Sequence, residues 1–320
     1  MKKKLIKIVV SALLLCALLT FFVGNYFVNY ALLRDAKGGT REVEDEWVVT
    51  DHNQQVVQQN KQKQKEASEK FLEETKAESV EISSDDHLKL KGHLAKNDGD
   101  TLILIAHGYQ TSEKESLPLA KAFYDMGYST LTIDMRAHGN SEGKFIGMGY
   151  FEKYDILNWI NFINEHLPNQ KIFLHGTSMG GGSVLLAGTL DLPSNVKGII
   201  DDCGYSSAYE MFQLELKKRF NLPSFPVLDM ANIMAQIRAN YNLKDTDVLK
   251  NIDKIKSPVL IIHGDKDNYV PVEMAQRLYD KLPGEKDLLI VEEADHADSK
   301  YLDPETYYEK IQEFIIKYSK

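Results

Sequence analysis

A chain of 320 residues, 43% hydrophobic and 27% charged, has room for one large globular domain with additions to it. Its net charge of −9, with no basic stripe beyond the extreme N-terminus, argues against a nucleic-acid partner. Its two cysteines lie far apart, Cys16 in an apolar run and Cys203 in the folded part, which excludes a disulfide framework.

Met1-Lys2-Lys3-Lys4 leads into an apolar run from Leu5 to Val23 whose only charge is Lys7. About 20 apolar residues cross a bilayer as a helix, and Asn25, Tyr26 and Tyr30 resemble an interfacial belt. Residues 1–33 are therefore expected to form a single-pass membrane anchor. The lysines keep the N-terminus in the cytoplasm and place the rest on the extracytoplasmic side, with Arg34 and Lys37 in slight opposition. The competing reading is a signal peptide, cleaved to release a secreted protein. No Ala-x-Ala site follows the run, and Leu15 before Cys16 does not suit a lipoprotein signal. Residues 34–77 are rich in Gln, Asn and Lys, and pair opposite charges four apart at Lys65/Glu69, Glu66/Lys70 and Lys70/Glu74. That pattern predicts a solvated, helical stalk; a partner-binding segment is the alternative.

The globular part starts near Glu78. Val80–Ser83 and His87–Leu94 alternate apolar and polar residues around Ser84-Asp85-Asp86, as a hairpin does. His87 and His93 read as surface strand residues. Thr101–Ala106 is continuously apolar, the mark of a strand buried on both faces. A helix over Glu115–Met126, a strand over Tyr128–Asp134, a helix over 152–166 and a strand over Val196–Asp202 continue an alternation that implies a mostly parallel sheet with helices on both faces. Residues 204–254 break the rhythm with apolar helical segments interrupted by Pro223 and Pro226, and are expected to form an inserted helical lid. The alternation resumes with Pro258–His263, a helix over Val272–Leu282, a strand over Asp287–Val291 and a helix over Glu305–Tyr318. The core is thus divided into 78–203 and 255–320.

One stretch carries chemistry. Lys171–Leu174 reads as a strand and Val184–Ala187 as a helix start; between them lies Gly176-Thr177-Ser178-Met179-Gly180. Strand, Gly-x-Ser-x-Gly and helix together place a serine on a sharp turn with its hydroxyl clear of the sheet. A serine hydroxyl needs a base in hydrogen-bond reach, and the base needs an orienting acid. On such a sheet the chain order is serine, acid, histidine. Of the histidines beyond the inserted segment, His263 precedes the acidic turn, which leaves His296 as the base. The same order excludes His107, which is expected to brace its loop. Gly264-Asp265-Lys266-Asp267 offers two acids; Asp267 falls at the turn and is preferred, with Asp265 expected to order the loop. Two backbone N–H groups must stabilise the developing oxyanion. Met179 opens a helix whose dipole favours an anion, and Tyr109 follows His107-Gly108 after a buried strand.

These pieces, His107-Gly108-Tyr109, Asp134-x-Arg136-x-His138-Gly139-x-Ser141, Gly176–Gly180, Gly264-x-x-Asp267-x-x-x-Pro271 and His296, resemble the α/β-hydrolase superfamily. The likeness spans 78–320 and is nearest to membrane-anchored, cell-surface-type bacterial hydrolases of the serine aminopeptidase S33, or Hydrolase-4, kind. Ala137 stands where many relatives have glycine, and Tyr109 is bulkier than usual and expected to narrow the acyl side of the pocket. The resemblance implies hydrolysis through a covalent acyl-enzyme with Ser178, Asp267 and His296, and no metal or organic cofactor. Gly180-Gly181-Gly182-Ser183 lacks the lysine of a phosphate loop. A carboxylic ester is the first substrate expected, since the apolar lid and its methionines suit an acyl chain, although the same residues would also simply pack a lid. A peptidase or amidase acting on short peptides is the second reading, and a non-catalytic binding protein on a hydrolase scaffold the third.

Overall fold

The computed structural model describes residues 2–34, 36 and 52–320. In chain order its helices and strands are α1 (Lys2–Ala31), α2 (His52–Ser68), α3 (Phe71–Glu74), β1 (Glu78–Ser83), β2 (Lys89–Ala95), β3 (Thr101–Ala106), α4 (Leu117–Asp125), β4 (Ser129–Ile133), α5 (Glu152–His166), β5 (Lys171–Thr177), α6 (Met179–Gly188), β6 (Val196–Asp202), α7 (Ala208–Phe220), α8 (Ser224–Ala239), β7 (Val259–Gly264), α9 (Val272–Lys281), β8 (Lys286–Val291), α10 (Ser299–Leu302) and α11 (Pro304–Tyr318). The strands form one sheet in the order β1-β2-β4-β3-β5-β6-β7-β8. β1 and β2 are antiparallel, as are β2 and β4; every later pairing is parallel.

The continuous apolar run of β3 is explained by its two neighbours and two covered faces. Leu102, Leu104 and Ala106 join the cluster under α5 and α6 that contains Trp159 and Leu185. Ile103 and Ile105 point the other way, into the cluster under α4 and α11 with Phe123 and Phe314. Strand order reverses at β3, which lies between β4 and β5. The crevice beyond the C-terminal ends of β3 and β5 is therefore the topological switch point, where open sheets of this kind hold their ligands.

Three expectations need correction. The hairpin forms, but β2 begins at Lys89 rather than His87. His87 adopts φ 67° within the turn, where its N–H donates to Ser84 O (2.9 Å) while Ser84 Oγ accepts from Leu88 N (2.9 Å). His93 is no bare surface residue either: Nδ1 lies 2.7 Å from the buried Glu113 carboxylate. The polar stretch expected to stand clear in solvent instead includes a docked helix, α2, which packs on α4 and α10. Val57 and Ser68 are buried, Asn60 Nδ2 donates to Tyr301 O (2.8 Å) and Gln64 Nε2 to Lys300 O (3.2 Å). Amide side chains that read as low complexity thus satisfy carbonyls of α10. Residues 35 and 37–51 of that stretch, Lys37 included, lie outside the described residues.

Helix α1 is long and apolar enough to cross a membrane. Its first part is exposed, but from Gly24 onward it lies on α8. A Cβ at position 24 would sit 2.4 Å from Met230 O and from Met234 Cγ, so glycine sets this approach. Arg238 Nη1 fastens the crossing by donating to Asn25 Oδ1 (2.8 Å) and Asn29 Oδ1 (2.7 Å).

The packing of α6 against β3 is among the tight requirements of this frame. A Cβ at Gly180 would stand 2.2 Å from Ala106 O, which is backbone and cannot swing away. Gly180→Ala should therefore cost about 3 kcal/mol or more of stability in denaturant titrations. Gly284→Ala, where an added Cβ meets nothing within 4 Å, should stay within about 0.5 kcal/mol of the parent chain.

Candidate active site

Ser178 sits between β5 and α6 at φ 57°, ψ −113°, a conformation that costs energy for a residue with a Cβ and persists only where the surroundings over-determine it. Here they do. A Cβ at Gly176 would lie 2.2 Å from Gly180 C, so the turn closes only with glycine on either side of the serine. Ser178 N–H donates to Asp202 O (2.8 Å), and Gly182 N–H to Ser178 O (3.1 Å), tying the turn to β6 and to the first turn of α6.

The side chains singled out from chain order meet at this point. His296 Nε2 is 2.8 Å from Ser178 Oγ, and His296 Nδ1 is 2.7 Å from Asp267 Oδ2. With Nδ1–H donating to the carboxylate, Nε2 is left to accept the serine proton. Asp267 Oδ1 accepts from Tyr269 N (2.9 Å) and Val270 N (2.8 Å). Burial alone would raise the Asp267 pKa, but hydrogen bonds from His263 and His296 outweigh it and hold the carboxyl well below the usual carboxylate range. Asp265 is in the loop-ordering role expected of it, its Oδ1 accepting from Glu293 N (2.6 Å). The edge of the Tyr269 ring meets the His296 ring, centroids 5.1 Å apart.

The loop after β3 faces the serine. A Cβ on Gly108 would be only 3.6 Å from Ser178 Cβ, which brings the neighbouring Tyr109 to the same mouth. Met179 is the first residue of α6, so its N–H has no partner within the helix. His107 braces its loop: Nδ1–H donates to Gly108 O (2.7 Å) and Nε2 accepts from Met135 N (3.0 Å). Burial pushes its pKa down to about 4, which keeps the ring neutral. His138 does the same next door, accepting from Gln110 N (3.1 Å), with its pKa pushed down to about 3, chiefly by burial.

Ser178 opens into an apolar cavity. Tyr109, Met179 and Tyr269 stand at its polar end, and α7 and α8 form one side with residues such as Leu216 and Leu228. More of the lining comes from the end of α1 and the residue after it, through Phe27, Val28 and Leu32. Nothing in the sequence linked α1 to this site. His263 was also missed. Its Nε2 lies 2.9 Å from Val270 O and 3.2 Å from Asp267 Oδ2, so one N–H serves the loop and the carboxylate together. The spacing His263-x-x-x-Asp267 was a legible signal of it.

Among the described residues, Cys203, Asp267 and His296 bring potential metal-ligand atoms within 4.8 Å of one another. They do not suit a metal ion. Asp267 Oδ2 and His296 Nδ1 already engage each other, and burial pushes the Cys203 thiol far above the range in which it would be a thiolate.

Comparison with known proteins agrees with this geometry. The Hydrolase_4 family, described as serine aminopeptidase S33, matches residues 97–213. The family of PhoPQ-activated pathogenicity-related proteins matches 220–319. YqkD of Bacillus subtilis (strain 168) is 34% identical over 228 residues, 71% of this chain and 75% of YqkD. The chain belongs to the α/β-hydrolase superfamily. Another relative in the superfamily is a thermostable monoacylglycerol lipase of Bacillus sp. (strain H-257), 22% identical over 248 residues that cover 69% of this chain and 92% of the lipase. Among solved α/β-hydrolase structures, the Pyrococcus furiosus esterase Pf2001 superposes with a TM-score of 0.63 at 23% identity, covering 77% of this chain and 95% of the esterase.

Beneath the α/β-hydrolase turn lies one uncompensated cost. Asp201 is fully buried between Gly181 and Gly204; Oδ1 accepts from Gly204 N (3.0 Å) while Oδ2 has no partner among the described residues. Burial, reinforced by Asp202 and opposed by His263, pushes its pKa from 3.8 up to about 7. Below about pH 4 the carboxyl is protonated whether the chain is folded or not, and its ionisation does not enter the folding balance. As pH rises toward about 7 the unfolded chain alone releases the proton, and stability falls until the folded group ionises too. Asp201→Asn removes that titration. The stability of the variant relative to the parent, from denaturant titrations across this range, should rise with pH up to about 7 and level off beyond it.

Proposed function

We propose that this protein is a membrane-anchored serine hydrolase that cleaves carboxylic esters, with Ser178 as nucleophile, His296 as general base and acid, and Asp267 as the group that orients His296. The observation that carries the proposal is the unbroken hydrogen-bonded chain Ser178–His296–Asp267 at the mouth of an apolar cavity. Ser178 Oγ attacks the ester carbonyl carbon as its proton passes to His296 Nε2. The carbonyl oxygen, now negative, lies toward the Tyr109 and Met179 N–H groups; each such donor contributes roughly 3 kcal/mol to this kind of step. The tetrahedral intermediate collapses, the carbon–oxygen bond to the alcohol breaks, and His296 returns the proton to the leaving oxygen. Water then attacks the acyl-serine by the same route, releasing the acid and restoring Ser178. Asp267, ionised throughout, stabilises the imidazolium formed in each half.

Residues 1–33 act as an uncleaved anchor, with the catalytic domain on the extracytoplasmic side. The Leu5–Val23 run and its flanking lysines support this reading, and so does the seating of residues 24–32 against the domain, which signal cleavage beyond Ala31 would strip away. The helices inserted between β6 and β7 serve as the lid over the acyl pocket.

A peptidase acting on short peptides is the second reading, supported by the serine aminopeptidase description of the matching family. Recognition of a free amino terminus needs an acid with charge to spare. The acidic residue lining the cavity, Glu215, is already ion-paired with Arg219, which favours an uncharged ester.

A fluorophosphonate probe should label the full-length protein, and labelling should vanish in Ser178→Ala; equal labelling of both would remove Ser178 from the mechanism. Asp267→Asn should lower kcat by about 10⁴-fold through the wrong imidazole tautomer. In a panel of 4-nitrophenyl acyl esters and aminoacyl anilides the esters should turn over faster. The reverse preference would establish the peptidase.

A further inference from the structure

The cavity at Ser178 is unusual in where one wall comes from. Phe27, Val28 and Leu32 belong to the last turns of α1 and the residue after it, the same helix whose exposed run is apolar enough for a bilayer. Leu5–Val23 rises about 28 Å at helical pitch, close to the ~30 Å of hydrocarbon it would cross. Burial begins at the very next residue, Gly24. The membrane segment therefore ends where the pocket wall starts.

That wall is built in. The Tyr109 hydroxyl donates to Ala31 O, Ile146 N–H donates to Leu32 O (2.7 Å), and the Arg34 guanidinium donates to Gly139 O and Ser141 O. Phe27 and Tyr30 each meet the Phe220 ring edge-on, with centroids 5.2 Å apart. Tyr109 thus joins the mouth of the catalytic site to the exit end of the helix. The neighbouring α8 shows Phe225, Ile233 and Ile237 to the exterior at 77%, 45% and 69% exposure, beside the point where α1 leaves the domain. Arg238 donates to Asn25 and Asn29, polar residues just past the apolar run.

We infer that the exit end of α1 determines acyl-chain specificity, and that the substrate is the acyl ester of a bilayer-resident amphiphile whose chain enters the pocket from the membrane alongside α1 and α8. The inference rests on the ester-hydrolase reading above. It departs from a soluble-substrate enzyme that happens to carry an anchor, in which α1 would be a tether and nothing more.

The test uses the full chain in lipid nanodiscs. Fluorophosphonate labelling of Ser178 is followed in every sample, so that an intact site is read separately from the pocket. The first readout is the ratio of kcat/KM for 4-nitrophenyl decanoate to that for the acetate. Val28→Trp, which fills the wall side, should lower the ratio about tenfold, and Phe27→Ala should move the optimum to longer chains. Ratios within about twofold of the parent in both variants, with labelling kept, would overturn the role of α1. The second readout leaves the wall untouched. Monooleoylglycerol is supplied either in the nanodisc that holds the enzyme or in separate nanodiscs. Turnover at least about tenfold faster in the shared disc supports entry from the bilayer, and equal rates overturn it. A parent protein that neither labels nor hydrolyses either ester would instead refute the hydrolase reading on which the inference stands.

Discussion

Backbone pressed on backbone is the constraint from which the rest of this structure follows. Where β5 turns into α6, the chain passes so close to itself and to the end of β3 that side chains at 176 and 180 would overlap main-chain atoms. The reward for that closeness is position. Ser178 is forced to φ 57° at the start of α6, whose first N–H groups have no partner within the helix. The strain is carried by a sheet whose central strand is wholly buried and whose helices close both faces, so nothing nearby can relax to release it.

Electrostatics completes what the turn begins. A carboxylate buried as deeply as Asp267 survives ionised only because two backbone N–H groups and two imidazoles surround it. His107 and His138 show the opposite solution. Each places one ring nitrogen on a carbonyl and offers the other to a backbone N–H, which requires the neutral ring and lets burial depress the pKa. Their contribution is therefore complete above their ordinary value of 6.5 and is withdrawn as pH falls below it. The loops after β3 and β4 are pinned by rings that must stay uncharged, while the loops after β7 and β8 are pinned by a carboxylate that must stay charged. Neutral to mildly alkaline conditions suit both.

How much of this was legible depended on whether a feature is periodic, ordered along the chain, or neither. Strands such as Thr101–Ala106 announced themselves because burial on two faces leaves no polar position from Leu102 to Ala106. Ser178, Asp267 and His296 could be picked out because the sheet fixes the order in which its loops reach one rim, and their side chains do meet there. What escaped has no such signature. His87 leaves the strand because its backbone turns left-handed, though its side chain fits the alternation. The glutamines and asparagines of α2 look like a solvated run, since a hydrogen bond from an amide to a distant carbonyl leaves no spacing to read. The share of His263 in Asp267 was visible as a spacing, yet the rule of chain order that selected His296 also drew attention away from it.

The same blindness explains why α1 looked separable. A membrane segment is recognised by length and apolarity, and both are properties of one helix taken alone. Contact with a distant domain is decided by single residues at its end: a glycine that admits the α8 backbone, two asparagines that reach Arg238, and a carbonyl that receives the Tyr109 hydroxyl. None of these disturbs the apolar run, so hydropathy reads an anchor and stops. The physical consequence runs the other way. Once the helix end is fixed to both α8 and the loop after β3, the domain has a defined stance relative to the helix axis and cannot swing on it as on a flexible leash. In the reading proposed above, the mouth at Ser178 is then held at a set place beside the bilayer that the apolar half enters, and position, more than affinity for any single group, selects what reaches the serine.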